Sequence, residues 1–317
     1  MTCSDNQISV ILPVYNGEKT VLKAIHSIQN QTWRNWELII IDDASSDESY
    51  QICMLESKID CRINVYKNKE NLGLAKTMNR LVALSKGDFI AIQEQDDHSV
   101  SFRLEKEIEL LKAHPKIGIV SGIAAWVDIN DNILAYFPGL LHNKSQYPQN
   151  FFEMVRYLYV EQCKVVNAAC MIRRSIIEKV DGPFDPFAKM SIDWQFFLRA
   201  SHFTNIWGIP EVIVYMLRGP THHSLTKQKD VQFPEARRCI NLLFNDFKNN
   251  PKSPINRKLY RKALVTQQLL ESRHYLNMRG VWLFLRSFFM TPFYPKVYEQ
   301  LRWYWQKILH KLDISQE

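Results

Sequence analysis

The chain has 317 residues, 46% of them hydrophobic and 23% charged, the composition of a globular protein with a sizeable core. This length exceeds one small domain and fits one large domain with an appendage; disorder, collagen-like sequence, low complexity and internal repeats are excluded. The net charge of +7 sits entirely in the last third, where residues 227–317 carry 17 Lys and Arg against 7 Asp and Glu, while residues 1–226 carry 23 against 26.

In chain order, the apolar run at 9–14 (Ser-Val-Ile-Leu-Pro-Val) predicts a strand covered on both faces, as in a parallel sheet. A turn at Tyr15-Asn16-Gly17 precedes Val21, Leu22, Ile25 and Ile28, which recur at helical spacing. A second strand is predicted at 37–41, ending in Asp42-Asp43, with Ser46 or Asp47 placed to cap the next helix. A third strand follows at 63–66, then a helix at 74–84 ending near Lys86-Gly87. A fourth strand is predicted at 89–92, a helix at 102–113 stopped by Pro115, and strands at 117–120 and 212–217. Strands alternating with helices predict βαβ units, right-handed crossovers and a mainly parallel sheet. From about residue 228 the pattern becomes helical, around 235–247, 257–275 and 281–290, with a last helix beyond Pro292 and Pro295.

Ligands of parallel α/β sheets bind beyond the carboxyl ends of the strands, and two acidic clusters fall there. After the second strand, Asp42 and Asp43 offer acceptors for a base N–H or a ribose hydroxyl; helix capping is the plainer reading. After the fourth strand, Glu94, Asp96 and Asp97 repel one another unless something positive lies among them. A hard divalent cation takes oxygen ligands and would bridge them to a diphosphate, whereas a solvated acidic turn needs no ligand. Mg²⁺ or Mn²⁺ suits this set better than Zn²⁺, because no paired His or Cys accompanies it. The six cysteines form no Cys-x-x-Cys pair, which argues against a zinc cluster. The first residues show neither a basic n-region nor an apolar h-region, so a cytoplasmic location is expected.

These segments together resemble the family 2 glycosyltransferases. The opening 9–18 resembles that family's first strand and loop, 26–32 its "S-I-L-x-Q-T" segment, and 40–47 its "V-D-D-G-S-x-D" segment. Asn71-Leu72-Gly73 resembles "N-x-G", and 87–97 with Arg103-Leu104 resembles the stretch that carries the family's D-x-D motif. Further on, 169–175 and 181–185 resemble "x-M-F-R-R-S" and "G-G-F-D", and 191–199 resembles "E-D-x-D-L-W-L-R". The resemblance spans roughly 7–220 and implies a GT-A fold, a Rossmann-like sheet with flanking helices, over 1–226. A nucleotide-sugar half would lie at about 7–122 and an acceptor half at about 123–226, with 227–317 as a basic helical extension.

It further implies that Pro13, Tyr15, Asp42, Asp43, Asn71, Glu94 and Asp96 bind the nucleotide sugar, with Asp43 on the base. Asp96 would hold Mn²⁺ or Mg²⁺; His222 or His223 would join it or hydrogen-bond the phosphate, unless 221–226 is an ordinary polar loop. Glu94 stands where the family has the first Asp of D-x-D, and Ser101 where it has a proline. Asp193 aligns with the catalytic base of inverting members, with Ile192 in place of the neighbouring Glu; capping of the helix near Trp194 is the alternative. The implied reaction is inverting transfer from a nucleoside-diphosphate sugar, UDP-linked because an Asp on the base edge suits uracil. The acceptor would be a hydroxyl of a glycan or lipid-linked acceptor in bacterial surface polysaccharide synthesis.

In the tail, Leu301, Tyr304, Trp305, Ile308, Leu309 and Leu312 share one helical face and Arg302, Gln306, Lys307, His310 and Lys311 the other. This suits a helix lying at a membrane surface, on the inner face for a cytoplasmic protein, or one packed on the catalytic domain. Residues 281–290 are too short to span a bilayer, which takes ~20 residues. A metal-dependent nucleotidyltransferase would want a Gly-rich basic loop after the first strand, and a dinucleotide-binding oxidoreductase would want G-x-G-x-x-G; neither is present. The basic tail carries no helix-turn-helix, zinc or RNA-recognition signature, so no nucleic-acid partner is expected.

Overall fold

A computed structural model describes residues 7–162, 164–219, 228–275, 278–291 and 293–314. The chain divides into two compact units, residues 1–154 with 163–227, and residues 155–162 with 228–317.

The first unit opens with β1 (Ile8–Val14), α1 (Val21–Gln29), β2 (Trp36–Asp42), α2 (Ser49–Ile59), β3 (Ile63–Lys67), α3 (Leu74–Leu84) and β4 (Phe89–Ile92). There follow β5 (Asp97–Ser99), α4 (Arg103–Ala113), β6 (Ile117–Val127), β7 (Ile133–Phe137), α5 (Gly139–His142) and α6 (Phe151–Glu161). It closes with β8 (Cys170–Arg173), α7 (Arg174–Lys179), α8 (Ile192–Ala200) and β9 (Asn205–Leu217). The strands form one sheet in the order β3-β2-β1-β4-β8-β6-β9-β5, with β7 on β6.

β3, β2, β1 and β4 pair in parallel. β8 is antiparallel to both β4 and β6, while β9 is parallel to β6. Six strands therefore run one way, and β8, β5 and β7 run against them. The mainly parallel expectation holds for direction, but the reversed β8 at the centre makes the sheet mixed. β1 and β2 are buried almost throughout because α1 and α3 cover them, and their apolar residues join those of α4 and β6 in one core.

Three sequence expectations shift locally. The helix predicted to be capped by Ser46 or Asp47 begins at Ser49, with no side-chain bond from its N-cap residue Glu48. Ser46 N donates instead to Asn16 Oδ1, and Asp47 accepts from Ser49 N at 3.1 Å and Glu18 N at 3.0 Å, so this loop ties β1 to β2. Gly87 does not terminate α3, whose C-cap is Ser85. A Cβ on Gly87 would lie 2.6 Å from Gln7 O and from Ser9 N, so glycine is there because β1 passes against it. The strands predicted at 117–120 and 212–217 are the ends of much longer ones, β6 and β9, which pair along their length.

The second unit contains α9 (Lys229–Phe247), α10 (Arg257–His274), α11 (Met278–Met290) and α12 (Pro295–Ile314), with the second half of α6. Its core is Val265, Leu269, Phe284 and Val297, flanked by Phe288, Tyr294 and Tyr304. Buried Glu271 draws in Arg237 and Arg279. Tyr304, on the apolar stripe expected either at a membrane surface or packed on the protein, packs on Phe284 and donates to Ser272 O at 2.9 Å. The side chains of Trp305, Ile308, Leu309 and Leu312 lie outside the described residues. Among the described residues, no helix is long and apolar enough to cross a membrane.

Candidate active site

The site is built where β1, β2 and β4 end. The register places Val14 beside Asp42, and Asp43 N donates to Val14 O at 2.7 Å. Asp42 is fully buried; its Oδ1 accepts from Ser45 N at 3.1 Å and lies 3.8 Å from Lys67 Nζ, while Oδ2 has no hydrogen-bond partner. Asp43 is 4% exposed and holds the 68–73 loop, accepting from Asn68 Nδ2 at 2.5 Å, Leu72 N at 2.9 Å and Gly73 N at 2.9 Å. Within that loop Asn71 Oδ1 accepts from Gly73 N at 3.1 Å, where a positive φ of 82° favours glycine. Pro13, Tyr15, Asp42, Asp43 and Asn71 thus lie along the carboxyl edge formed by β1, β2 and the loop after β3.

The loop after β4 carries the second acidic cluster. Gln95 links it to the first loop, donating to Tyr15 O at 3.0 Å and accepting from Tyr15 N at 2.8 Å. Gln93, fully buried, donates from its amide to Glu94 O at 3.0 Å and Asp97 O at 2.8 Å. Behind it, Arg103 donates to Gln93 Oε1 at 3.2 Å, Ser99 Oγ at 2.9 Å and Ile92 O at 2.9 Å, and pairs with Glu107. Both Arg103 and Glu107 are completely buried. Their pair is therefore set among fixed acceptors that satisfy the remaining guanidinium N–H groups.

Glu94, Asp96 and Asp97 can each place a carboxylate oxygen within 4.8 Å of the others. Asn167, on a single 3-10 turn before β8, donates to Glu94 Oε1 at 3.1 Å, and Leu217 N donates to Asp97 Oδ1 at 3.2 Å. Burial, with the charge of Asp96 next, pushes the Glu94 carboxyl up to about 7; Asp193 adds to the rise, while Asn167 and Arg218 oppose it. Asp97 is held well above the ordinary carboxylate range by burial and by the charges of Asp96 and Glu94. Its Oδ2 is buried without a hydrogen-bond partner. Three crowded carboxylates that resist joint ionisation, with one oxygen left over, fit a hard divalent cation. Asp97 thereby joins Glu94 and Asp96 in the donor set.

Asp193 lies in the first turn of α8, behind a left-handed Ser191 (φ 59°), and its charge reaches Glu94. The helix begins at Ile192, so Asp193 is within it and is not its N-cap residue. His222 and His223 lie outside the described residues.

Five contributors escaped the sequence reading as functional groups: Gln93, Gln95, Arg103, Asn167 and Arg218. Arg103 was visible only as part of a motif. Arg218, at the end of β9, is the cation whose charge reaches both Glu94 and Asp97, and nothing in its neighbours marks it.

A mixed sheet with a reversed central strand, flanking helices and carboxylates at its carboxyl edge is the GT-A fold. The chain belongs to glycosyl transferase family 2, whose sequence pattern matches residues 9–181. Over 118 residues it is 39% identical to a putative glycosyltransferase, EpsE, of Bacillus subtilis, covering 37% of this chain and 42% of that protein. Over 107 residues it is 36% identical to the Escherichia coli UDP-Glc:alpha-D-GlcNAc-diphosphoundecaprenol beta-1,3-glucosyltransferase WfgD, covering 34% of this chain and 42% of that protein. The chain therefore spans under half the length of either relative. A crystal structure of S. aureus TarS 1–349 in complex with UDP-GlcNAc superposes with a TM-score of 0.68 at 17% identity, covering 92% of this chain and 82% of that one. That likeness establishes the fold. Family membership sets aside the nucleotidyltransferase and oxidoreductase alternatives.

Proposed function

We propose that this glycosyltransferase moves a sugar from a UDP-sugar to a hydroxyl of a glycan or lipid-linked acceptor, with inversion, in bacterial surface polysaccharide synthesis. The observation that carries the reading is the Glu94, Asp96 and Asp97 cluster, whose carboxylate oxygens can lie within 4.8 Å of one another at the carboxyl edge of the sheet. In this reading Asp193, in the first turn of α8, is the general base that works with that diphosphate-facing set.

Asp193 takes the proton of the acceptor hydroxyl as its oxygen attacks the anomeric carbon. The bond from that carbon to the diphosphate oxygen breaks, and the diphosphate leaves with the electron pair. Glu94, Asp96 and Asp97 would hold Mg²⁺ or Mn²⁺, which supplies positive charge to the leaving diphosphate. Arg218, whose charge favours ionised Glu94 and Asp97, would add positive charge on that side. Asp42 and Asp43, through the loop bearing Asn71, shape the pocket for base and ribose, and Tyr15 and Pro13 form its wall. The division of labour follows chain order, with 7–122 for the donor and 123–226 for the acceptor. The chain would work as a cytoplasmic protein held on the inner membrane face, because the basic second unit suits an anionic surface.

The support from relatives is of two kinds. WfgD is named for a UDP-linked donor and a diphosphoundecaprenol acceptor, and the TarS structure contains UDP-GlcNAc. The test is Asp193→Asn, which keeps size but removes the base. Transfer should fall about 10²–10⁴-fold, while affinity for the UDP-sugar with Mn²⁺, measured by calorimetry, stays unchanged. NMR of the product should show an inverted anomeric carbon. Lost donor binding with normal turnover at saturation, or a retained configuration, would remove Asp193 from this role.

A further inference from the structure

The second unit carries a cavity of about 600 Å³ between the start of α10 and the α11–α12 connection. Arg257, Lys258, Arg261 and Lys262 line one side of it. They sit at i, i+1, i+4 and i+5, so two successive turns of α10 present them on one face. Among the described residues no carboxylate pairs with any of the four, although Glu271, Glu235 and Glu161 of the same unit each hold a different cation. Burial, then the like charges of Arg156 and Lys258, lower the pKa of Lys262. Arg257, Lys258 and Arg261 are exposed and Lys262 Nζ lies over the Tyr294 ring at 5.7 Å, so positive charge is concentrated on one accessible face with no carboxylate partner among the described residues, an arrangement that attracts anions.

The opposite wall is Met290, Tyr294 and Phe293. On α11, Trp282, Leu285 and Phe289 fall at helical spacing and Phe289 is 79% exposed, and Phe293, beyond the end of that helix, is 89% exposed. Large apolar side chains facing solvent in one structured unit mark a contact surface. A ridge that includes aliphatic Leu285 suits acyl chains better than stacked bases.

We propose that this cavity binds the phosphate of an anionic phospholipid, while Phe289 and Phe293 enter the membrane interface beside it. The combination is the one a membrane surface selects: basic groups at headgroup level and aromatic groups just below. Arginine is suited to the task because its planar fork takes two phosphate oxygens at once. The inference rests on the membrane-surface reading above and is independent of the sugar-transfer chemistry. It also moves the contact from the last helix, where Tyr304 is spent on the core, to α10 and α11.

The experiment is co-sedimentation of the full chain with vesicles of phosphatidylglycerol and phosphatidylcholine, and of phosphatidylcholine alone. Wild type should bind the first and not the second. R261E/K262E should weaken binding to the anionic vesicles by at least about tenfold, and F289S/F293S should also weaken it, with melting temperatures and transfer to a soluble acceptor unchanged. K248E/K252E, an equal charge change elsewhere in the unit, should bind like wild type. If wild type ignores anionic vesicles, the membrane reading fails and the site with it. If wild type binds but R261E/K262E binds equally, or K248E/K252E loses as much, the membrane reading survives and this cavity is not the site. Calorimetric binding of inorganic pyrophosphate without vesicle binding would instead assign the cavity to a free anion. Tighter binding to a single-stranded oligonucleotide than to vesicles would likewise overturn the lipid assignment.

Discussion

Asp97 shows how little a residue's own letter says about its role. In sequence it is the last of three crowded acids; in the fold it is buried, anchored by Leu217 N and left with one bare oxygen. Asp96→Ala should abolish measurable Mn²⁺ binding while leaving the melting temperature unchanged or higher, since it removes a like charge from a repelling set. Undiminished Mn²⁺ affinity by calorimetry would refute the metal assignment. Gln93 gives a second prediction. Its amide spans the two carbonyls that begin and end the acidic loop, so it fixes the loop without touching a cation. Gln93→Leu should weaken Mn²⁺ binding about 10–100-fold, the usual cost of losing an outer partner, with all three carboxylates intact. Wild-type Mn²⁺ affinity in this variant would show that the loop holds its shape unaided. The acids were legible in the sequence because strand-end carboxylates are unusual. Gln93, Asn167 and Arg218 were not, because single polar residues gain meaning only from what folds against them.

At the scale of elements, continuous apolar runs located β1, β2, β3 and β4, and helical spacing located α1, α3 and α4. β5 was invisible. Its three residues, Asp97-His98-Ser99, have no strand propensity and pair only because β9 lies alongside, matching Asp97 to Met216 and Ser99 to Val214. β8 was read as part of a motif and not as a strand, being four residues long. Gly87 carries the element-scale prediction. The alanine Cβ would meet backbone atoms of Gln7 and Ser9 that no side-chain rotation can move. Gly87→Ala should therefore destabilise by about 1–3 kcal/mol, seen as a fall in melting temperature of roughly 2–4 °C per kcal/mol. Gly73→Ala offers a comparison of another kind, since Gly73, at the N-terminus of α3, has open space around its Cβ position and the cost there comes from its positive φ alone. A small loss at Gly87 would mean that β1 can retreat from it.

For the whole molecule, the proposed donor site draws on the loops after β1, β2, β3 and β4, and Asn167 and Leu217 brace its acidic loop from the later half of the chain. A ligand bound across so many elements should stabilise them together by mass action. UDP with Mn²⁺ at about a hundred times its dissociation constant should add about 2.7 kcal/mol to stability. The melting temperature should rise accordingly, and EDTA should abolish the rise for wild type. An equal UDP-dependent rise in EDTA would mean that nucleotide binding does not use the cation. The charge asymmetry is the other whole-molecule property, and it was plain in the sequence as 17 basic against 7 acidic residues after position 226. Its distribution was not. Some of that charge neutralises Glu271, Glu235 and Glu161, and four cations at the start of α10 are left facing one cavity.

The sequence by itself determined the α/β class, the family, the order of the first four strands' motifs and the places where carboxylates cluster. Those properties follow from local patterns, namely burial on both faces of a strand, helical spacing, and charge repulsion between near neighbours in the chain. Only the tertiary structure decided that β8 runs backwards between β4 and β6, that Asn167 reaches Glu94, and that Arg103 holds Gln93 from behind the acidic loop. It also decided that Tyr304 serves a core while Phe289 and Phe293 face outward. Each of these depends on a pairing between distant segments, and a pairing is fixed by the complementarity of two surfaces, which neither segment specifies alone.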